Sequence, residues 1–125
     1  MTPLEVFLEA RSRKDIVWYK AVPETLAFPR LFFTKIDSHL FYAAYGKLFG
    51  VETYALIHNQ EFLYTNANAE TFFEYIWYGL TNKAHTQFTL MPVGTTLSMK
   101  AIEEQILNMG KESRLQYNKM VGMQE

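Results

Sequence analysis

Leu40-Phe41-Tyr42-Ala43-Ala44-Tyr45-Gly46-Lys47-Leu48-Phe49 carries one charge, on Lys47, and the architecture turns on the conformation of this stretch. Leu40, Phe41, Ala44, Tyr45, Leu48 and Phe49 recur at i, i+1, i+4, i+5, i+8 and i+9, the spacing of one helical stripe. Asp37 or Ser38 can cap such a helix and Gly50 can close it. The spacing predicts a helix over 40–49. Downstream, Val51 to His58 and Glu61 to Thr65 read as strands around Asn59-Gln60, a hairpin. Upstream, Leu31 to Ile36 and the β-branched and aromatic Ile16-Val17-Trp18-Tyr19 read as strands, with Pro23 to Pro29 a connection between them.

At the start, Thr2-Pro3-Leu4-Glu5 forms a capping box with proline in the first turn, predicting a helix to about Lys14. Asn68 caps a third helix with Phe72, Phe73, Ile76, Trp77 and Leu80 on one stripe. Thr86 to Met91 alternates polar with apolar and reads as a strand, closed by Pro92 and Gly94. Ser98 opens a last helix bearing Ile102, Ile106 and Met109, with Gly110 either its end or carried within it. The polar residues 116–125 are expected to fray. The order α-β-β-α-β-β-α-β-α has no repeated βαβ unit. It predicts a single α+β domain over 1–125, a mostly antiparallel sheet of about five short strands with about four helices on it.

Composition narrows the function classes. The 125 residues are 49% hydrophobic and 20% charged, a globular balance. Twelve basic against thirteen acidic residues leave a net charge of −1, which gives no general affinity for phosphate backbones or anionic membranes. The lack of cysteine removes disulfides, thiolate metal ligands and a cysteine nucleophile. The start of the chain lacks the basic and apolar regions of a signal peptide, and no apolar run approaches the ~20 residues of a membrane span. A cytoplasmic protein is expected.

Aromatic content is high: ten Phe, eight Tyr and two Trp, 16% of the chain. On the third helix the apolar stripe is about 140° wide at ~100° per residue, and Tyr75 and Tyr78 fall opposite it. Glu74 is the one charge from Thr71 to Asn82. Helices apolar most of the way round are buried or bind something. Tyr75, Tyr78 and Glu74, with Tyr42 of the helix predicted over 40–49, are therefore the expected interface residues. Their partner is another protein or a second copy of the chain, giving a homo-oligomer.

Chemistry-bearing motifs are sparse. His39, His58 and His85 fall in different elements, none at the spacing of a helical zinc site. Asp37 with His39, and His58 with Glu61, read as polar turn residues, so neither a metal nor a cofactor is expected. No serine sits in a G-x-S-x-G elbow, and no catalytic residue is assigned. Thr95 and Thr96, before a helix start, are the candidate contacts for an anionic or nucleotide-like ligand. Arg11, Arg13, Lys14 and Trp18 interleave cations with an aromatic, the ingredients of a single-strand stacking site. The near-neutral charge and the helix-end placement of the cations weigh against nucleic acid. Asn59-Gln60-Glu61-Phe62-Leu63-Tyr64-Thr65-Asn66-Ala67-Asn68-Ala69-Glu70 resembles the hairpin-to-helix passage of PAS sensor domains. A run of strands should then follow, and only Thr86 to Met91 supplies one; no ligand site is carried across.

These observations favour a non-enzymatic protein-binding module, an inhibitor, adaptor or chaperone-like protein acting through an aromatic helix surface. Small accessory proteins of viruses and mobile elements share this profile. A small-ligand-binding or nucleotide-sequestering domain with an aromatic-lined pocket is the second reading. An enzyme assembled from dispersed residues such as His39, His58, His85 and Glu52 is the third.

Overall fold

A computed structural model describes residues 2–11, 13, 16, 18–20, 30–76 and 98–122. Helix α1 (Pro3–Ala10) precedes five strands, β1 (Tyr19–Lys20), β2 (Arg30–Ile36), β3 (His39–Leu48), β4 (Val51–His58) and β5 (Glu61–Asn66). Helices α2 (Ala69–Ile76), α3 (Met99–Leu107) and α4 (Lys111–Val121) follow. The strands form one antiparallel meander in chain order, with the two-residue β1 at one edge and β5 at the other. The α+β class with an antiparallel sheet is as expected. Among the described residues no helix is long and apolar enough to cross a membrane.

The chief difference from expectation lies at residues 40–49. This stretch is not a helix but β3, the central strand, paired with β2 from Ile36↔His39 to Arg30↔Tyr45 and with β4 from Leu48↔Val51 to Phe41↔His58. Successive side chains of a strand point to opposite faces. Phe41, Ala43 and Tyr45 join Phe7, Phe72 and Ile76 of α1 and α2 on one face. Tyr42 and Ala44 join Ile102 of α3 on the other, with Tyr117 of α4 packed against them. A strand covered on both faces is apolar at nearly every position, so its alternation disappears. The run Leu40 to Tyr45 then matches a helical stripe and a buried strand equally well.

The turns explain the meander. The β2–β3, β3–β4 and β4–β5 hairpins close around two residues each, Asp37-Ser38, Phe49-Gly50 and Asn59-Gln60. Asp37 (φ 56°), Phe49 (φ 53°), Gly50 (φ 82°) and Asn59 (φ 56°) all sit at positive φ. Two-residue hairpins need such residues because their backbone twist must match that of the strands. Asp, Asn and Gly adopt this region readily; phenylalanine does so at a cost.

Local capping follows the expected chemistry. The Thr2 hydroxyl accepts from the Glu5 amide at 3.2 Å, and the Glu5 carboxylate accepts from the Thr2 amide at 2.9 Å. These bonds hold the Glu5 carboxyl below its usual pKa, the Thr2 backbone bond contributing most. The Asn68 side chain caps α2 through the Thr71 amide at 2.9 Å, and Ser98 caps α3 through the Ala101 amide at 3.1 Å. Gly110 separates two helices rather than lying within one. The Arg114 guanidinium donates to the Ile106 carbonyl at 2.6 Å, satisfying a C-terminal carbonyl of α3.

Other boundaries shift. The first helix ends at Ala10, short of Lys14, and of the described residues in the strand expected over Ile16 to Tyr19 only Tyr19 is paired. Helix α4 runs through residues expected to fray, with Tyr117 packed into the core and Asn118 buried. The hairpin-to-helix passage of the PAS resemblance is present, but all the described strands precede α2. The strand expected over Thr86 to Met91, and the continuation of α2 through Trp77 to Leu80, lie outside the described residues.

Candidate functional site

The even-numbered side chains at the start of β3, Leu40 and Tyr42, point towards α3 and α4 and form the floor of a cavity of about 450 Å³. Helix α3 supplies one wall: Met99, Ile102, Glu103 and Ile106 recur at three- and four-residue spacing and share a helix face. Tyr117 of α4 and the turn residues Asn59 and Gln60 complete the lining. Cavities of roughly 300–1,000 Å³ hold small organic ligands, so the volume is adequate.

The decisive polar contact is between tyrosines 75 residues apart. The Tyr42 and Tyr117 hydroxyls lie 2.9 Å from each other. In such a pair one O–H is consumed, leaving one O–H donor and oxygen lone pairs for a third group. Burial, then the bond to Tyr117, pushes the Tyr42 phenol far above the usual tyrosine range. It therefore stays protonated at neutral pH and acts as a hydrogen-bonding group, not as a phenolate base. Glu103, exposed on α3, is the one charged residue among the described residues of the lining. The arrangement can bind an apolar body, exchange hydrogen bonds at its floor and attract positive charge at its rim.

Few of the residues expected to act fall here. Tyr42 is only 8% exposed, so it lines an interior wall and offers no outward interface. Tyr75 is not free either: its ring stacks on Tyr64 at 3.8 Å and on Phe7 at 6.3 Å. The Arg11 guanidinium lies 4.9 Å from the Tyr75 ring centroid and donates to the Tyr75 carbonyl at 3.0 Å. The side of α2 opposite its apolar stripe is thus partly covered by α1 and β5. Glu74 is exposed, as expected of an interface residue or of any solvated one. Tyr78, Lys14, Thr95 and Thr96 lie outside the described residues.

The basic and aromatic stretch does not assemble a stacking platform. Trp18 is 6% exposed and meets Phe7 edge-on at 6.5 Å, so its face is unavailable to a base. Arg11 is committed to Tyr75, and Arg13 reaches Asp37 at 3.6 Å. Sequence reasoning missed Tyr117, Met99 and Glu103. Tyr117 carried no signal because nothing local connects it to Tyr42. The four-residue gap from Met99 to Glu103, three to Ile106, is a visible helical stripe, and it could have been read as lining.

No protein-family model matches the chain, and no curated protein or solved structure matches it significantly.

Proposed function

We propose that this domain binds a small, partly apolar molecule that is uncharged or cationic, in the cavity between the sheet and helices α3 and α4. The observation that carries the reading is the Tyr42–Tyr117 hydroxyl pair, 2.9 Å apart, in the lining of that cavity. A paired hydroxyl offers a third group both a donor and an acceptor, which suits a ligand alcohol, amide or amine. Glu103, with no lysine or arginine among the described residues of the lining, disfavours phosphates and carboxylates, and so disfavours the nucleotide version of this reading.

Thermal-shift screening of a library divided into anionic, neutral and cationic sets tests it. A ligand at 100 times its Kd stabilises the native state by about 2.7 kcal/mol. Stabilisation confined to neutral or cationic compounds, and lost when Ile102→Trp fills the cavity, is the expected result. A flat screen, or hits that persist in Ile102→Trp, would refute the assignment.

A second reading, recognition of another protein or a second copy of the chain, keeps one specific observation. Phe49 is 95% exposed at the β3–β4 turn, at φ 53°, beside Val51 at 56%. A large aromatic held in a costly backbone conformation with its ring in water contributes little to this fold, which favours a contact outside it. On this reading the surface is the hairpin tip, not the helix carrying Tyr75. Sedimentation velocity on Phe49→Asn distinguishes the two: an oligomer in the parent protein that dissociates in the variant supports it, and a monomeric parent removes self-association.

A further inference from the structure

On the sheet face opposite the cavity, two of the three histidines meet. Residues directly paired in an antiparallel ladder share a face, so His58 lies beside its partner Phe41, and His39, two residues before Phe41, lies on that face too. The three rings form one cluster, with Phe41 5.4 Å from His58 and 6.2 Å from His39 between centroids. His39 Nδ1 and His58 Nε2 are 3.1 Å apart.

The geometry points to a two-imidazole binding site for a late first-row divalent metal ion, copper(II) foremost, with His39 Nδ1 and His58 Nε2 as its ligands. Metal–nitrogen bonds of about 2.0–2.1 Å, opened by 90–110°, place two ligand nitrogens about 2.8–3.4 Å apart. The observed 3.1 Å lies inside that interval, so small ring rotations suffice. Among the described residues no three His, Cys, Asp or Glu side chains converge on a metal position. The described residues therefore supply two ligands, and water would complete the shell. Imidazole nitrogen suits copper, nickel and zinc, and their affinities for one site peak at copper.

The surroundings favour a cation. Two neutral rings at this distance share one N–H, whose proton leaves the bridging nitrogen while the ring takes one up at its outer nitrogen. Both inner lone pairs then face the metal with no net change in protonation. Glu61, paired with His58 across the β4–β5 ladder, places a carboxylate next to the pair. The turn residues Asp37, Ser38, Asn59 and Gln60 beside the pair are exposed and His39 is half-buried, so access is from the His39 side at the end of the sheet, His58 being only 9% exposed.

Titration of the full chain with copper(II) at pH 7.5, by calorimetry and electron paramagnetic resonance, tests the assignment. One equivalent is expected to bind with hyperfine splitting from two imidazole nitrogens, more tightly than nickel(II) or zinc(II). His39→Gln and His58→Gln should each weaken binding at least about tenfold, the lower end of what loss of even an outer partner costs. His85→Gln should bind as the parent does. The spectrum of the parent protein stands as evidence without any variant, so a substitution that impairs folding does not remove the test. Absence of stoichiometric copper uptake, a spectrum lacking two nitrogens, undiminished binding in the folded double variant, or loss of binding in His85→Gln would each overturn it.

Discussion

Replacing Tyr117 by phenylalanine removes one oxygen from the Tyr42–Tyr117 pair and leaves every apolar contact of the ring in place. The Tyr42 ring is 8% exposed, so its hydroxyl loses a partner in a largely dry setting. A neutral hydrogen bond contributes about 0.5–1.5 kcal/mol net, and stranding a buried partner costs about 1–3 kcal/mol. Here the stranded hydroxyl opens on a cavity of about 450 Å³, which water can enter. The cost should therefore fall at the low end, about 1 kcal/mol, or roughly 4 °C in Tm for a chain of this size. Tyr42→Phe should cost a similar amount. The double variant removes both ends of the bond and should cost less than the sum, with a coupling of about 1 kcal/mol. Urea denaturation of the four proteins measures it, since equal m-values would show that only stability has changed. Strict additivity, with no coupling, would refute the pairing and with it the polar floor on which the ligand reading rests.

Three further outcomes are expected. His58 has a folded-state pKa below its ordinary value of about 6.5, chiefly from burial, so the unfolded chain binds its proton more readily. Its contribution is complete above pH 6.5 and drains away as pH falls through the folded pKa; acid titration of stability should lose that component in His58→Gln, and an unchanged slope would contradict it. Phe49→Asn creates an Asn-Gly turn at the φ values already present, and should stabilise the fold by about 1 kcal/mol in chemical denaturation. Thr2→Ala breaks the capping box of α1 and should cost about 0.5–2 kcal/mol, read from Tm and from helical circular dichroism.

The legible features share one property: their cause lies within a few residues. Thr2 with Glu5, Asn68 before α2 and Ser98 before α3 are caps whose bonds span three residues. The β4–β5 hairpin was visible because strand propensity and the Asn59-Gln60 turn agree. Positions 37, 49 and 59 recur every ten to twelve residues, and that spacing was a usable sign of a meander. The apparent stripe through Leu40 to Phe49 competes with that sign.

Burial on both faces decided β3, and burial is a property of the assembled layers. Until α1 and α2 cover one face and α3 and α4 the other, nothing local distinguishes a doubly covered strand from a buried helix. The candidate sites follow from that decision. The partners in the Tyr42–Tyr117 and His39–His58 pairs stand 75 and 19 residues apart, joined only once β3 is extended between its neighbours. The caps, the Asn59-Gln60 turn, the aromatic stock of the core and the class of the fold could be read from the chain alone, because short-range sterics and hydrogen bonds suffice for those. Tertiary packing alone decided which faces the tyrosines and histidines occupy, because a strand sends alternate side chains to opposite layers and only the layers say which is which.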